Sequence, residues 1–464
     1  WLATNGTGAF AMGTVSGANT RRYHGLLVTA DRWVLLSKYD EELVVDGRAH
    51  ALGTNQYPGA VHPAGFQQLS EFRLAPYPVW TYQVDGTRLE KRVFLAQGEQ
   101  AVVAEYRAER PCRLLVRPFL AFRGHHALAG ANDAFHSTVT ERERTIQMQP
   151  YPGLPALSFH HNGAAFQAGG VWYYSFEYLE ELERGLDFRE DLFCPGAFVF
   201  DLAPETPAWI VAGLRIPTSW EAPPEGPLVA ADQFIVRRPD GRPTIIAGYP
   251  WFADWGRDTM ISLPGLLVAR GRRDEAREIL QGFLEHLRQG LIPNRFPDRD
   301  GAPEYNTADG TLWMFQAVWA LEQAGEDISW FYPAAREIVD WHQRGTLHGI
   351  GVDPADGLLA AGDEHTQLTW MDTPNTPRRG KPVEINALWY NALRMLETWA
   401  RRRGEPAGPW WRAARQVKAS FAAGFWNPGR NCLYDVLTPA GPDETLRPNQ
   451  IFAVSLPFAL LDRQ

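Results

Sequence analysis

The chain has 464 residues, 45% of them hydrophobic and 21% charged, and carries a net charge of −9. This length implies two or three domains, and the composition excludes a disordered or fibrous protein. No run of about 18 apolar residues occurs, which excludes a transmembrane helix, and the negative balance weighs against nucleic acid or an anionic membrane as a partner.

Three widely spaced cysteines, Cys112, Cys194 and Cys432, make neither a disulfide framework nor a metal-ligand spacing, and they suit a reducing cytoplasm. The opening Trp1-Leu2-Ala3-Thr4-Asn5 has no initiator Met and no basic-then-apolar signal pattern, so a start upstream of Trp1 is expected. The 18 Trp residues have two readings. They fill large cores, or their flat faces stack on the apolar faces of sugar rings.

From Gly6 to about Pro207 short β-like segments alternate with Gly, Asp and Pro turns. Leu26-Leu27-Val28, Val34-Leu35-Leu36, Leu43-Val44-Val45, Val102 to Tyr106 and Leu114-Leu115-Val116 are such segments, and Asp46-Gly47 and Asp85-Gly86 are hairpin turns between them. Many strands without helices predict an antiparallel β-sandwich over 1–220. The proline-rich stretch 217–227 then breaks the pattern, and 221–247 reads as a linker.

From 248 to 464 the period is helical. Residues 274–288 carry Ala276, Ile279, Leu280, Phe283, Leu284 and Leu287 on one stripe, and 311–324, 333–343, 384–402, 410–425 and 449–461 read alike. With one more helix after Asp258 the pattern yields about seven. The longest loop, 347–383, is rich in polar and aromatic residues and is a candidate functional segment.

Three clusters carry chemistry. The first runs from Gly248 to Thr259 and holds Trp251, Trp255, Arg257 and Asp258. A neighbouring Arg keeps an Asp ionised, and such a carboxylate can take hydrogen bonds from adjacent sugar hydroxyls; the plainer alternative is an ion pair that orients the helix. The second holds Glu304, Asn306, Asp309 and Trp313, with Asp309 equally readable as a helix N-cap. The third contains Trp370-Met371-Asp372 and, beyond Arg378, Glu384. Glycoside hydrolysis needs one carboxylic acid to protonate the leaving oxygen and a second carboxylate opposite it. An Asp flanked by Trp and Met can be desolvated, as a general acid requires. Glu304, Asp309, Glu364 and Glu384 are rivals of Asp372 for that role. His365 beside carboxylates lacks the two-His spacing of a zinc helix, so no metal and no cofactor is expected.

Asn5-Gly6-Thr7-Gly8-Ala9-Phe10, Gly13 to Gly17 and Asn19 to Leu27 resemble the N-terminal domain of bacterial and archaeal glycogen debranching enzymes. Trp255 to Thr259, Tyr305 to Trp313, Thr369 to Asp372, Val383-Glu384-Ile385 and Leu446 to Gln450 resemble the glucosidase domain of that family, in the expected order. The resemblance implies a β-sandwich followed by an (α/α)6 barrel and an amylo-α-1,6-glucosidase activity with an inverting mechanism. It further implies that Asp372 is the general acid and that Arg257 and Asp258 hold the terminal glucose. Fewer helices are visible than six helical hairpins require, so the barrel is expected to be incomplete at the C-terminus, with the general base beyond Gln464. Arg21-Arg22-Tyr23-His24-Gly25 is read as a packing motif rather than a glucan site.

The substrate so implied is a branched α-glucan or limit dextrin whose outer chains are trimmed by a phosphorylase or glucanotransferase acting on the same polymer. Two other readings stay open. An α-glucoside phosphorylase shares the plan and would depend on phosphate, and a non-catalytic glucan-binding chain would hold glycogen without releasing glucose.

Overall fold

A computed structural model describes the chain except residues 75, 223–226, 239, 298–300, 364, 374, 377 and 462–464, and except the side chains of 227–229. The chain divides into two compact units, Trp1–Arg237 and Arg238–Gln464. The division falls inside the stretch read as a linker, which itself carries the helix Pro227–Asp232 and the strands Ile235–Arg237 and Pro243–Ile245.

The first unit is antiparallel. One sheet runs, in spatial order, Leu2–Thr4, Phe10–Met12, Gly25–Val28, Trp33–Val45, Cys112–Gly124, Arg189–Leu202 and Ala165–Glu177, with Arg48–Ala51 paired to Trp33–Val45. The other runs Thr140–Arg142, Thr145–Met148, Leu157–His161, Ala208–Gly213, Ala101–Ala108, Thr87–Leu95, Val79–Val84 and Leu69–Arg73. Leu36, Leu43, Leu114 and Phe198 of the first sheet share one buried cluster with Trp80, Val93, Val102 and Phe159 of the second, so the sheets pack face to face. Both hairpin signals act as turns: Asp46 (φ 49°) with Gly47 (φ 78°), and Asp85 (φ 41°) with Gly86 (φ 68°), give the left-handed pair that a two-residue hairpin needs. The outermost strand, Ala165–Glu177, slips register twice against its neighbour, between Ala168 and Val171 and between Tyr173 and Phe176.

One sequence expectation is corrected here. Val34 to Leu36 and Leu43 to Val45 are not separate strands but the two ends of Trp33–Val45. The polar residues between them read as a turn, yet they are buried in pairs. Lys38 lies 2.9 Å from Asp40, and Lys91 of the facing sheet lies 2.6 Å from Glu41, which also accepts from the Tyr106 hydroxyl at 2.8 Å. Charge is tolerated in the sandwich because each ion has a partner. Arg21 and Arg22 are used similarly, at 3.3 and 3.4 Å from the buried Glu181 of the helix Leu179–Glu183.

The second unit is helical: Gly256–Leu266, Arg273–Leu284, Gly310–Gln323, Tyr332–Arg344, Val383–Arg402, Gly408–Phe425 and the single turn Phe452–Ser455. Val383–Arg402 buries apolar residues on every side, among them Val383, Leu388, Trp389, Leu393 and Trp399, as a central helix must. It packs against Gly310–Gln323, Tyr332–Arg344 and Gly408–Phe425. The helix expected over 449–461 does not form. A 3-10 turn, Pro448–Ile451, leads into Phe452–Ser455, and Leu456 then turns extended (ψ 158°) because the next residue is Pro457, whose ring disfavours a helical neighbour before it.

Two stability effects follow. Lys91→Met leaves Glu41 buried without its cation and should cost about 3–5 kcal/mol, read as a lower urea midpoint, with partial recovery in the Lys91→Met, Glu41→Gln double variant. Burial also lowers His24, His161 and His342 to about 4. Their folded pKa values lie below the unfolded value of about 6.5, so the unfolded state takes up protons first on acidification. Their stability contribution is therefore complete above that value and is lost as pH falls toward 4. His342 stacks on Trp389 at 5.8 Å and 16°. His342→Phe should keep the stack and make the decline of the urea midpoint across that window shallower.

Candidate active site

The first turns of three helices open on one cavity of about 720 Å³ in the second unit. Gly256–Leu266 can start where it does only because residue 256 has no side chain: a Cβ there would lie 2.1 Å from the Pro293 carbonyl oxygen, and the Gly256 amide donates to Asn294 at 2.8 Å. Upstream, Asp254 is gripped by Arg238 (Nε at 2.8 Å) and the Thr244 hydroxyl (3.1 Å), which fixes the loop carrying Phe252 and Trp255. The cavity is lined by Phe252, Trp255, Arg257, Asp258 and Ile261 from this segment, and by Asp309 and Trp313 at the start of Gly310–Gln323. Trp370 and Asp372 come from the long loop, Glu384 from the first turn of Val383–Arg402, and Asn449, Ile451 and Phe452 from the final turn. An apolar wall with a few convergent polar groups is the usual form of a small-molecule site.

The charges in this wall are unequally committed. Arg257 donates through Nε to both Asp309 oxygens, at 2.7 and 2.9 Å, and through Nη2 to Thr307 (3.3 Å) and the Leu368 carbonyl (3.4 Å). Glu384 is held through both oxygens by Arg378, whose Nε and Nη2 also reach Asp435 at 2.7 and 3.1 Å. Burial raises the Glu384 carboxyl against the pull of Arg378. Asp258 and Asp372, by contrast, have no hydrogen-bonded ion pair among the described residues. Arg257 Nη1 stands 3.9 Å from Asp372, beyond hydrogen-bond distance. The Asp258 side chain opens to the cavity, yet the surrounding unit desolvates it enough to raise its carboxyl. Arg257 opposes that rise, and the charges of Asp309 and Asp372 add to it.

Several expectations change on this geometry. Arg257 pairs with Asp309, not with Asp258, and Asp258 is raised rather than held down. Asp309 occupies the N-cap position but makes no capping bond; its oxygens take Arg257 and the Thr307 hydroxyl (2.7 Å), and Thr307 accepts the Gly310 amide instead. Asp372 is 49% exposed, so Trp370 and Met371 do not bury it. Trp251, Glu304 and Asn306 are not among the lining residues: Glu304 pairs with Arg295 at 2.7 Å, and Asn306 accepts from Asn294 at 3.2 Å. Glu364 lies outside the described residues. Sequence reasoning did not place Asn449, Ile451 and Phe452 in the wall, although the Leu446 to Gln450 motif marked the place. It also missed Asp435, which stands in a stretch without helical or alternating periodicity.

Residues 229–464 match the amylo-alpha-1,6-glucosidase family, and residues 1–208 match the glycogen debranching enzyme N-terminal family. The glycogen debranching enzyme of Saccharomyces cerevisiae is 30% identical over 221 aligned positions, which take in 33% of this chain and 14% of the yeast protein, so the match spans a small part of that relative. A bacterial glucoamylase solved with acarbose has the same fold, with a TM-score of 0.50 at 10% identity, over 95% of this chain and 70% of the glucoamylase. That likeness places the antiparallel sheets and the helical unit in the plan of a β-sandwich followed by an (α/α)6-type barrel. With both units matched in chain order, this chain belongs to the glycogen debranching enzyme family.

Proposed function

We propose that the cavity of the second unit hydrolyses α-1,6-glucosidic branch points in glycogen-like α-glucans, with Asp372 as the proton donor to the departing oxygen. The observation that carries this reading is the unequal commitment of the carboxylates. Asp309 and Glu384 are tied up by guanidinium groups, while Asp258 and Asp372 remain available beside Trp255, Trp313 and Trp370. A glucose ring laid against those indoles would bring its rim of hydroxyls to Asp258, and its glycosidic oxygen to Asp372. In an inverting hydrolysis the acid protonates that oxygen while water, activated by a second carboxylate about 6.5–9.5 Å from the acid, attacks the anomeric carbon from the opposite side. The family match supports the substrate class, and α-1,6 specificity and inversion are the finer part of the proposal. On this reading the branches would have to be short, already trimmed by a phosphorylase or glucanotransferase acting on the same polymer.

A second assignment exchanges the two aspartates. Desolvation by the surrounding unit raises the Asp258 carboxyl, which is the direction a proton donor requires. The two readings separate on an activated substrate. If Asp372 is the donor, Asp372→Asn should slow hydrolysis of branched dextrin by about 10²–10⁴-fold but spare most turnover of α-glucosyl fluoride, whose leaving group needs no proton. Equal losses on both substrates, with Asp258→Asn sparing the fluoride instead, would transfer the role to Asp258. If Asp258 grips the terminal glucose, Asp258→Asn should lose about 1.5–3 kcal/mol, seen as a higher KM on both substrates in a folded protein. Unchanged kinetics would remove Asp258 from the site.

A further inference from the structure

The geometry points to Asn449 as a positioning residue, which sets the Trp370 indole as the platform on which a glucan ring stacks. The inference rests on the glucan reading above, and goes beyond it in naming what holds the platform in place. Trp370 is 47% exposed, so packing alone does not fix its ring. Its indole Nε1 donates to Asn449 Oδ1 at 2.8 Å. Asn449 is buried, and its Nδ2 donates to Asp435 Oδ1 at 2.8 Å and lies 3.6 Å from the Met371 sulfur.

The amide can sit only one way round. An indole N–H donates and cannot accept, so it requires the Asn449 carbonyl oxygen; an ionised carboxylate accepts and cannot donate, so it requires the amino end. Asp435 is itself immobilised. Arg378 reaches it at 2.7 and 3.1 Å and Arg447 at 2.6 Å, which with Asn449 occupies the acceptor sites of both oxygens. The chain of contacts from Arg378 through Asp435 and Asn449 therefore ends on a ring two residues before Asp372. The helical turn that follows begins with Phe452, whose ring meets Trp313 edge-on at 5.4 Å and 79°. Two consecutive short turns thus address two of the three indoles in the cavity. A stacking surface held in its working orientation before the ligand arrives loses less freedom on binding, and this is what the Asn449 contact supplies.

The test separates the contact from its use. In ¹⁵N-labelled protein the Trp370 indole N–H resonance is identified by its disappearance in Trp370→Phe. Asn449→Leu, which keeps the branched shape and removes both polar ends, should shift that resonance. In an Asp372→Asn background, where turnover is slowed, it should also weaken panose binding in a calorimetric titration by about fivefold to tenfold. Asn449→Ser serves the same comparison if the Leu variant does not fold. An unmoved indole resonance in either folded variant overturns the positioning role. A moved resonance with unchanged panose affinity overturns its purpose. Absence of panose binding by the protein with Asn449 intact would instead overturn the glucan reading, while the resonance still reports the contact.

Discussion

One guanidinium joins the parts of this site. Arg378 lies between Glu384 at the start of the central helix and Asp435 in the segment leading to the final turn, with both carboxylates buried. Two stretches of chain that are separate in sequence, 378–384 and the segment around Asp435, are thereby fixed at one wall of the cavity. A single positive charge shared by two carboxylates leaves the group short of cations, and Arg447 supplies a second one at Asp435. Buried ions of this kind are costly to assemble and still more costly to leave half-assembled. The loop bearing Trp370 and Asp372 depends on this closure, since its indole is tied to the same network through Asn449.

The rest of the wall follows from where helices begin. Gly256–Leu266, Gly310–Gln323 and Val383–Arg402 each bring their first turn to the cavity, and the partial positive charge of a helix N-terminus favours the carboxylates placed there. Around them stand rings and branched aliphatic side chains: Phe252, Trp255, Ile261, Trp313, Ile451 and Phe452. An apolar surround strengthens every remaining electrostatic contact and raises a carboxyl that has no ion-pair partner among the described residues, which is the state of Asp258. The site thus keeps a few ionisable groups uncommitted by binding the others tightly.

Much of this was legible in the sequence, and the limits have physical reasons. The change from short apolar segments between Gly, Asp and Pro turns to stripes of helical period separated sandwich from helices. The Asp-Gly turns were legible because few residues accept two successive left-handed conformations. Pairing was not. Arg257 and Asp258 are adjacent in sequence, but successive residues on a helix point about 100° apart, so Arg257 meets Asp309, 52 positions away, and not its neighbour. Lys91 and Glu41 stand on different sheets, so the buried charges inside Trp33–Val45 looked like a turn until their partner was known. Asp372 was marked by its neighbours, yet its exposure is set by the course of the loop, which no local pattern encodes.

The twice-slipped register of Ala165–Glu177 has a consequence for how molecules of this protein meet one another. That strand is the outermost of its described sheet, and a long straight edge of unpaired amides and carbonyls is a template on which a second chain can add. Each register slip inserts unpaired backbone and bends the strand away from the regular ladder spacing. An incoming strand would find no run of evenly spaced donors and acceptors long enough to match. The irregularity that costs the sandwich a few ladder hydrogen bonds is therefore also its protection against edge-to-edge aggregation.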